Sequence, residues 1–209
     1  MARKKIEYPT FSREAELSAN GYDYIVGVDE VGRGSAVGPV AAGAVRIPYS
    51  AVEKLYGLVR DSKKLSEKKR NECYNLILDC CDCSVFAVSS EVIDEINILE
   101  ATKLAMVEAI SRMPMRVEYA LIDGDFKTDD ILKDGTPHEQ IIKGDDKVLS
   151  IAAASIMAKV YRDKILYKLD KTLPIYDWKN NKGYLTKKHR EAIRTYGPSI
   201  FHRKSYKLL

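Results

Sequence analysis

The spacing of apolar residues along this chain changes several times, and each change marks a predicted element. Residues 22–31 (YDYIVGVDEV) form a β-branched and aromatic run stopped by Gly32, the mark of a strand. Residues 37–47 (VGPVAAGAVRI) predict a second strand, and the short Gly32–Ser35 loop between them makes a hairpin the simplest connection. In residues 67–80 the apolar positions Cys73, Leu76, Ile77 and Cys80 recur at helical spacing behind Ser66, a candidate N-cap. Residues 83–90 (CSVFAVSS) predict a third strand. Asn97 and Glu100 form a variant capping box that opens a helix over 97–110, and Pro114 closes it. Strands follow at 117–124, ending at Asp123, and at 138–145, ending at Asp145. A long helix over 146–171 carries alanines suited to close packing on a sheet.

A strand pair followed by alternating helices and strands predicts an α/β fold with a mixed sheet flanked by helices. Beyond Pro174 the pattern changes to short helices and loops. We therefore expect a catalytic core over 1–172 and a small basic helical C-terminal region over 173–209 that completes a substrate-binding surface. The chain has no internal repeat or low-complexity segment.

Composition adds little until its distribution is considered. Net charge is only +4, but residues 179–209 hold nine Lys or Arg against one acid, Glu191, while the rest of the chain holds 25 basic and 29 acidic residues. A basic end on a mildly acidic body points to a phosphate-bearing partner. Trp178, Tyr184, Tyr196, Phe201 and Tyr206 lie within or beside this run, which favours a folded surface over a loose tail. No apolar run approaches the ~18 residues of a membrane span. The charged start MARKKIEYPTF leads into no apolar segment, so no secretory signal and a cytoplasmic protein are expected. Cys73, Cys80, Cys81 and Cys83 cluster without a nearby histidine and lack zinc-site spacing, so they are read as reduced, partly buried thiols.

The chemistry gathers at strand ends. Asp29, Asp123 and Asp145 each close a predicted strand, and in open α/β sheets the site lies outside the carboxyl ends of strands. Taken singly, each acid is more often a turn former or an N-cap than a ligand. Together they repel one another unless a cation lies between them, and oxygen-only ligands suit Mg²⁺ or Mn²⁺. A metal also explains why Asp29 and Glu30 directly precede Gly32, Arg33 and Gly34, a loop whose N–H groups suit an anion. This loop is neither a dinucleotide fingerprint nor a Walker A loop. Glu30 is the hardest to place, because neighbouring strand residues point to opposite faces. Side chain, backbone carbonyl and water-mediated contact all stay open for it. The three histidines, His138, His189 and His202, are scattered along the chain, so no histidine base is expected.

Five segments in order, VDEVGRG, DSKKLSEKKR, KGDDKVLSIAAASIMAKVYRD, NKGYLTKKH and HRKSY, resemble the ribonuclease HII (type 2 ribonuclease H) family over residues 24–206. The resemblance implies a ribonuclease H-like core and hydrolysis of the RNA strand in RNA–DNA hybrids. It also implies cutting 5′ of single ribonucleotides in duplex DNA, leaving 3′-hydroxyl and 5′-phosphate ends. Asp29, Glu30, Asp123 and Asp145 take the positions of the family's four catalytic and metal-binding acids, with two Mg²⁺ or Mn²⁺ ions. Asp145 is favoured over the adjacent Asp146 by its distance from the lysine-glycine pair and the alanine-rich helix. Gly32, Arg33 and Gly34 take the place of the junction-reading loop, and Tyr184 that of the junction tyrosine. Lys63, Lys64 and Arg46 are candidates for flanking phosphates. Asp125, Ser35 and Leu185 depart from the common asparagine, proline and glycine. No obligate protein partner is implied, and a monomer is expected.

Overall fold

The computed structural model describes residues 8–125, 132 and 134–209. Its elements in order are α1 (Ser12–Ala19), β1 (Ile25–Val31), β2 (Val40–Arg46), α2 (Tyr49–Leu55), α3 (Glu67–Cys80), β3 (Asp82–Val88), α4 (Ser90–Ser111), β4 (Tyr119–Asp123), β5 (His138–Ile141), α5 (Leu149–Thr172), α6 (Trp178–Asn181) and α7 (Lys187–Tyr196). Short 3₁₀ turns cover Ser62–Lys64, Gly144–Asp146 and Pro174–Tyr176. The five strands form one mixed sheet in the order β3-β2-β1-β4-β5. β1 and β2 are the expected antiparallel hairpin, with Asp29 opposite Gly43, while β1–β4 and β4–β5 run parallel.

Helices cover both faces. The alanines of α5 let it lie directly on the sheet. A methyl at Gly27 would sit 2.2 Å from the Ser150 carbonyl carbon, and one at Gly43 would sit 2.7 Å from the Ala154 oxygen. Both distances are below any real contact, so backbone meets backbone here and a side chain at either position would force sheet and helix apart. α5 also buries Ala153, Ile156, Met157 and Val160 with Leu55, Val59 and Ile77. On the other sheet face, α4 packs Ile93, Ala101, Ala105 and Met106 against Val26, Val28, Val40 and Ile122.

Ser66 caps α3 as expected, its hydroxyl accepting from the Lys69 N–H. Asn97 does cap a helix, with Oδ1 accepting from Leu99 and Glu100 N–H at 2.9 and 3.2 Å. It does so at a kink (φ 67°) inside α4, because a first segment beginning at Ser90, capped by Ser89, precedes it. The four cysteines are free thiols, Cys73 buried and the others partly so. Among the described residues no helix is long and apolar enough to cross a membrane. The C-terminal segment shares a core with the rest of the chain, since Trp178, Tyr176, Ala192 and Ile193 pack with Val37 and Leu166.

Candidate active site

β1 outruns its parallel neighbour. Pairing with β4 stops at Val28–Ile122, whereas pairing with β2 continues to Val31. Asp29 and Glu30 therefore stand at the sheet edge, level with the end of β4 at Asp123. Carboxylate oxygens of Asp29, Glu30 and Asp123 lie within 4.8 Å of one another, a spacing that suits a shared cation. Strand alternation leaves Glu30 uncertain from sequence, but its side chain reaches the cluster. The Asp29 carboxylate folds along the backbone, accepting from the Glu30 N–H at 2.7 Å, and the longer Glu30 side chain closes the remaining gap. The Gly144 N–H donates to Asp123 Oδ1 at 2.6 Å, tying the turn after β5 to the end of β4. That turn carries Asp145. It lies outside the tight group of three, yet close enough for its charge to act on Asp29, and Asp123 acts on it in turn. The neighbouring Asp146 instead pairs with Lys64.

The protonation equilibria show the strain of this packing. Burial, then Glu30, Asp123 and Asp145, hold the Asp29 carboxyl well above its ordinary range. Burial also raises Glu30, although Arg33 opposes it, with Nη1 3.6 Å from the Glu30 carboxylate. Asp123 is raised by burial against the pull of the Gly144 N–H and Lys63. Asp145 is pushed up to about 6 by burial and by its acidic neighbours, Asp123 first among them. Burial lowers Lys63, but the fields of Asp29, Asp61, Asp145 and Glu30 outweigh it and raise the ammonium overall. These carboxylates hold charge poorly by themselves, and a hard divalent cation is the group that relieves them.

The loop after β1 is built from beneath. Gly32 has φ +101°, and a methyl there would lie 2.3 Å from Arg162 Nε, so this position requires glycine. Ser35 stitches the loop to the C-terminal region, its one hydroxyl proton shared between the carbonyls of Val37 (3.0 Å) and Lys182 (3.3 Å). Tyr184 is 47% exposed, which excludes a core role. Its ring approaches within 3.6 Å of where a Gly34 Cβ would sit, so loop and tyrosine form one surface.

Arg46 is not brought here. It ends β2 on the opposite side of the sheet, 3.9 Å from Asp82 and over the Tyr24 ring, where strand direction leaves no route to the acids. The histidines are not scattered in space. His189 and His202, thirteen positions apart, meet with Nε2 atoms 3.2 Å apart in the C-terminal core, a contact that spacing does not reveal. Sequence reasoning missed Asp61, which acts on Asp145 and Lys63, and the buried pair Arg162 and Arg203 beneath the loop. The DSKK motif was the available signal for Asp61. Nothing local marks a buried arginine.

A mixed five-stranded sheet flanked by helices, with acids gathered at its carboxyl edge, defines the class: an α/β protein of ribonuclease H-like architecture. A family model for Ribonuclease HII matches residues 26–209. The chain is 47% identical over 195 residues to the Ribonuclease HII of Chlamydia muridarum (strain MoPn / Nigg), covering 92% of this chain and 86% of that one. It is 45% identical over 190 residues to that of Bacillus velezensis, covering 90% and 71%. Among solved structures it is similar to the ribonuclease HII of Archaeoglobus fulgidus, seen in complex with PCNA, at a TM-score of 0.76 and 28% identity over 90% of this chain and 96% of that one. The chain belongs to the ribonuclease HII family and is a ribonuclease H endonuclease.

Proposed function

We propose that this enzyme hydrolyses the RNA strand of RNA–DNA hybrids and cuts 5′ of single ribonucleotides in duplex DNA, leaving 3′-hydroxyl and 5′-phosphate ends. This reaction serves ribonucleotide excision repair in the cytoplasm and needs only a monomer. The observation that carries the reading is the convergence of Asp29, Glu30 and Asp123 within 4.8 Å, a few residues before a loop that touches an exposed tyrosine.

Asp29, Glu30, Asp123 and Asp145 are the residues that hold Mg²⁺ or Mn²⁺, two ions during turnover. Bound there, the metal supplies Lewis-acid activation and offsets charge building on the phosphate. The chain's own contribution is positioning. Asp123 is aimed by the Gly144 N–H, and Asp29 by the Glu30 N–H. In the metal-free protein burial and Asp123 push the Asp145 carboxyl up to about 6, a cost that a bound cation would relieve. Lys63 balances the acids in the metal-free state and is available to a substrate phosphate once a cation replaces it. Lys64, held by Asp146, lies on the same flank.

Selectivity comes from the 2′-hydroxyl, the one local difference between RNA and DNA. Backbone groups of Gly32, Arg33 and Gly34 approach it unobstructed, and Tyr184 packs on the adjoining sugar. Phosphate contacts hold the duplex without reading sequence. The test is an end-labelled DNA duplex carrying one ribonucleotide beside its all-DNA counterpart. Cleavage of the first alone, on the 5′ side of the ribonucleotide, is expected, and equal cutting of both overturns the reading.

A further inference from the structure

Arg162 and Arg203 are both fully buried. A guanidinium in such a place is costly unless its donors are satisfied. Neither forms a carboxylate ion pair among the described residues, and both donate to main-chain carbonyls. Arg162 bonds Pro39, Val37 and Lys182 oxygens at 2.8, 3.0 and 3.2 Å. Arg203 bonds Gly38 O twice, at 3.0 and 2.9 Å, and reaches Arg33 O at 3.1 Å. The Arg33 carbonyl receives a second donor, the Tyr206 hydroxyl at 2.5 Å, and Tyr206 Oη itself accepts from Arg203 Nη1 at 3.1 Å. Asp94 on α4 fixes the intervening turn, its carboxylate accepting the Lys204 and Ser205 N–H groups at 2.8 Å each.

Two donors on one carbonyl set the orientation of a peptide. The Arg33–Gly34 bond is trans, and in a trans peptide C=O and N–H point in opposite directions. With the Arg33 oxygen drawn inward, the Gly34 N–H is turned away from the buried guanidinium, at an exposed residue whose Cβ position lies 3.6 Å from the Tyr184 ring. No hydrogen bond among the described residues uses that N–H. With glycine on its C-terminal side, the Arg33–Gly34 peptide turns over more readily than one between two residues with side chains, which would present a carbonyl in its place.

We propose that Arg203, assisted by Tyr206, is a positioning residue for ribose selection: it locks the Arg33–Gly34 peptide so that the Gly34 N–H faces the 2′-hydroxyl oxygen of the substrate. This rests on the reading that the Gly32–Gly34 loop meets the ribose. Neither residue touches substrate, so the effect is on discrimination rather than on the chemical step.

The test is equilibrium binding in an Asp123→Asn background, which leaves the duplex uncut, with two probes: a DNA duplex containing one ribonucleotide and the same duplex as all DNA. The ratio of the two dissociation constants is the readout. Arg203→Lys keeps the charge but loses the planar fork, and should lower the ratio by about tenfold, the scale of one lost charge-assisted bond. Tyr206→Phe should lower it by roughly two- to threefold. All-DNA binding should stay unchanged in both. Equal weakening on both duplexes, or an unchanged ratio, overturns the proposal. Should Arg203→Lys fail to fold, as judged by its thermal transition, Tyr206→Phe decides alone. If the Asp123→Asn parent itself shows no preference, the ribose-reading function is what fails, and this proposal falls with it.

Discussion

Replacing Asp29 by asparagine should stabilise the metal-free protein. Asp29 is 6% exposed, and its carboxyl is held well above the usual range by burial and by Glu30, Asp123 and Asp145. At neutral pH the native state therefore keeps protons that the unfolded chain has released. By linkage, stability falls as pH rises from the unfolded carboxylate value of about 4 through the higher folded values. Asp145 sets the scale, because its pKa rises from 3.8 to about 6. At ~1.4 kcal/mol per unit this is about 3 kcal/mol for a fully shielded group, and solvent at this partly exposed carboxyl reduces it to about half. Asp29 is more deeply buried in the same cluster. Asparagine keeps an oxygen to accept the Glu30 N–H but gives up some attraction to Lys63. The net gain is about 1–2 kcal/mol, or roughly 2–8 °C in Tm for a chain of this size. Calorimetry in chelator at pH 5 and pH 8 measures it. The advantage of Asp29→Asn should be larger at pH 8, and added Mg²⁺ should shift the balance back toward the wild type. A lower Tm for the variant at pH 8 in chelator, or a gain independent of pH, refutes the reasoning.

Other consequences follow from single contacts. Gly32→Ala drives a methyl into Arg162 at a left-handed position and should cost about 1–3 kcal/mol in urea unfolding, with loss of preference for ribonucleotide substrates. Burial and the neighbouring His189 push His202 down to about 4, and burial lowers His189 as well. The unfolded chain thus binds more protons between about 6.5 and 4, and the stability due to the neutral pair is lost as pH falls through that window. Trp178, the only tryptophan and fully buried beside His189, reports it as a red shift in fluorescence. Tyr184→Ala should leave Tm within about 1 °C, as expected for an exposed residue, while slowing cleavage at single ribonucleotides more than along RNA stretches.

Features set by neighbours in sequence were legible. The β1–β2 hairpin, the Ser66 cap and the capping role of Asn97 each depend on a few adjacent residues. The strand end at Asp123 was legible too, but Asp145 does not close a strand: β5 stops at Ile141, and Asp145 lies in the Gly144–Asp146 turn that follows. α1 and α2 were not. They have eight and seven residues and no side-chain cap at their starts, so periodicity had little to act on. The His189–His202 contact and the Arg203 clamp on Arg33 join residues 13 and 170 positions apart, which no local period encodes. A basic run reads as surface from charge alone, yet Arg203 is buried because backbone carbonyls satisfy its donors. The distance of Arg46 from the acids was likewise hidden, since composition says that a strand carries an arginine and only strand direction says at which end.

The central claim is that the carboxylates of Asp29, Glu30 and Asp123 share a divalent cation. Anomalous diffraction from crystals soaked in Mn²⁺ addresses it directly. A peak bounded by these three side chains, absent from Asp29→Asn crystals, is the expected result, and a well-ordered cluster with no peak, or manganese bound only elsewhere, contradicts the account.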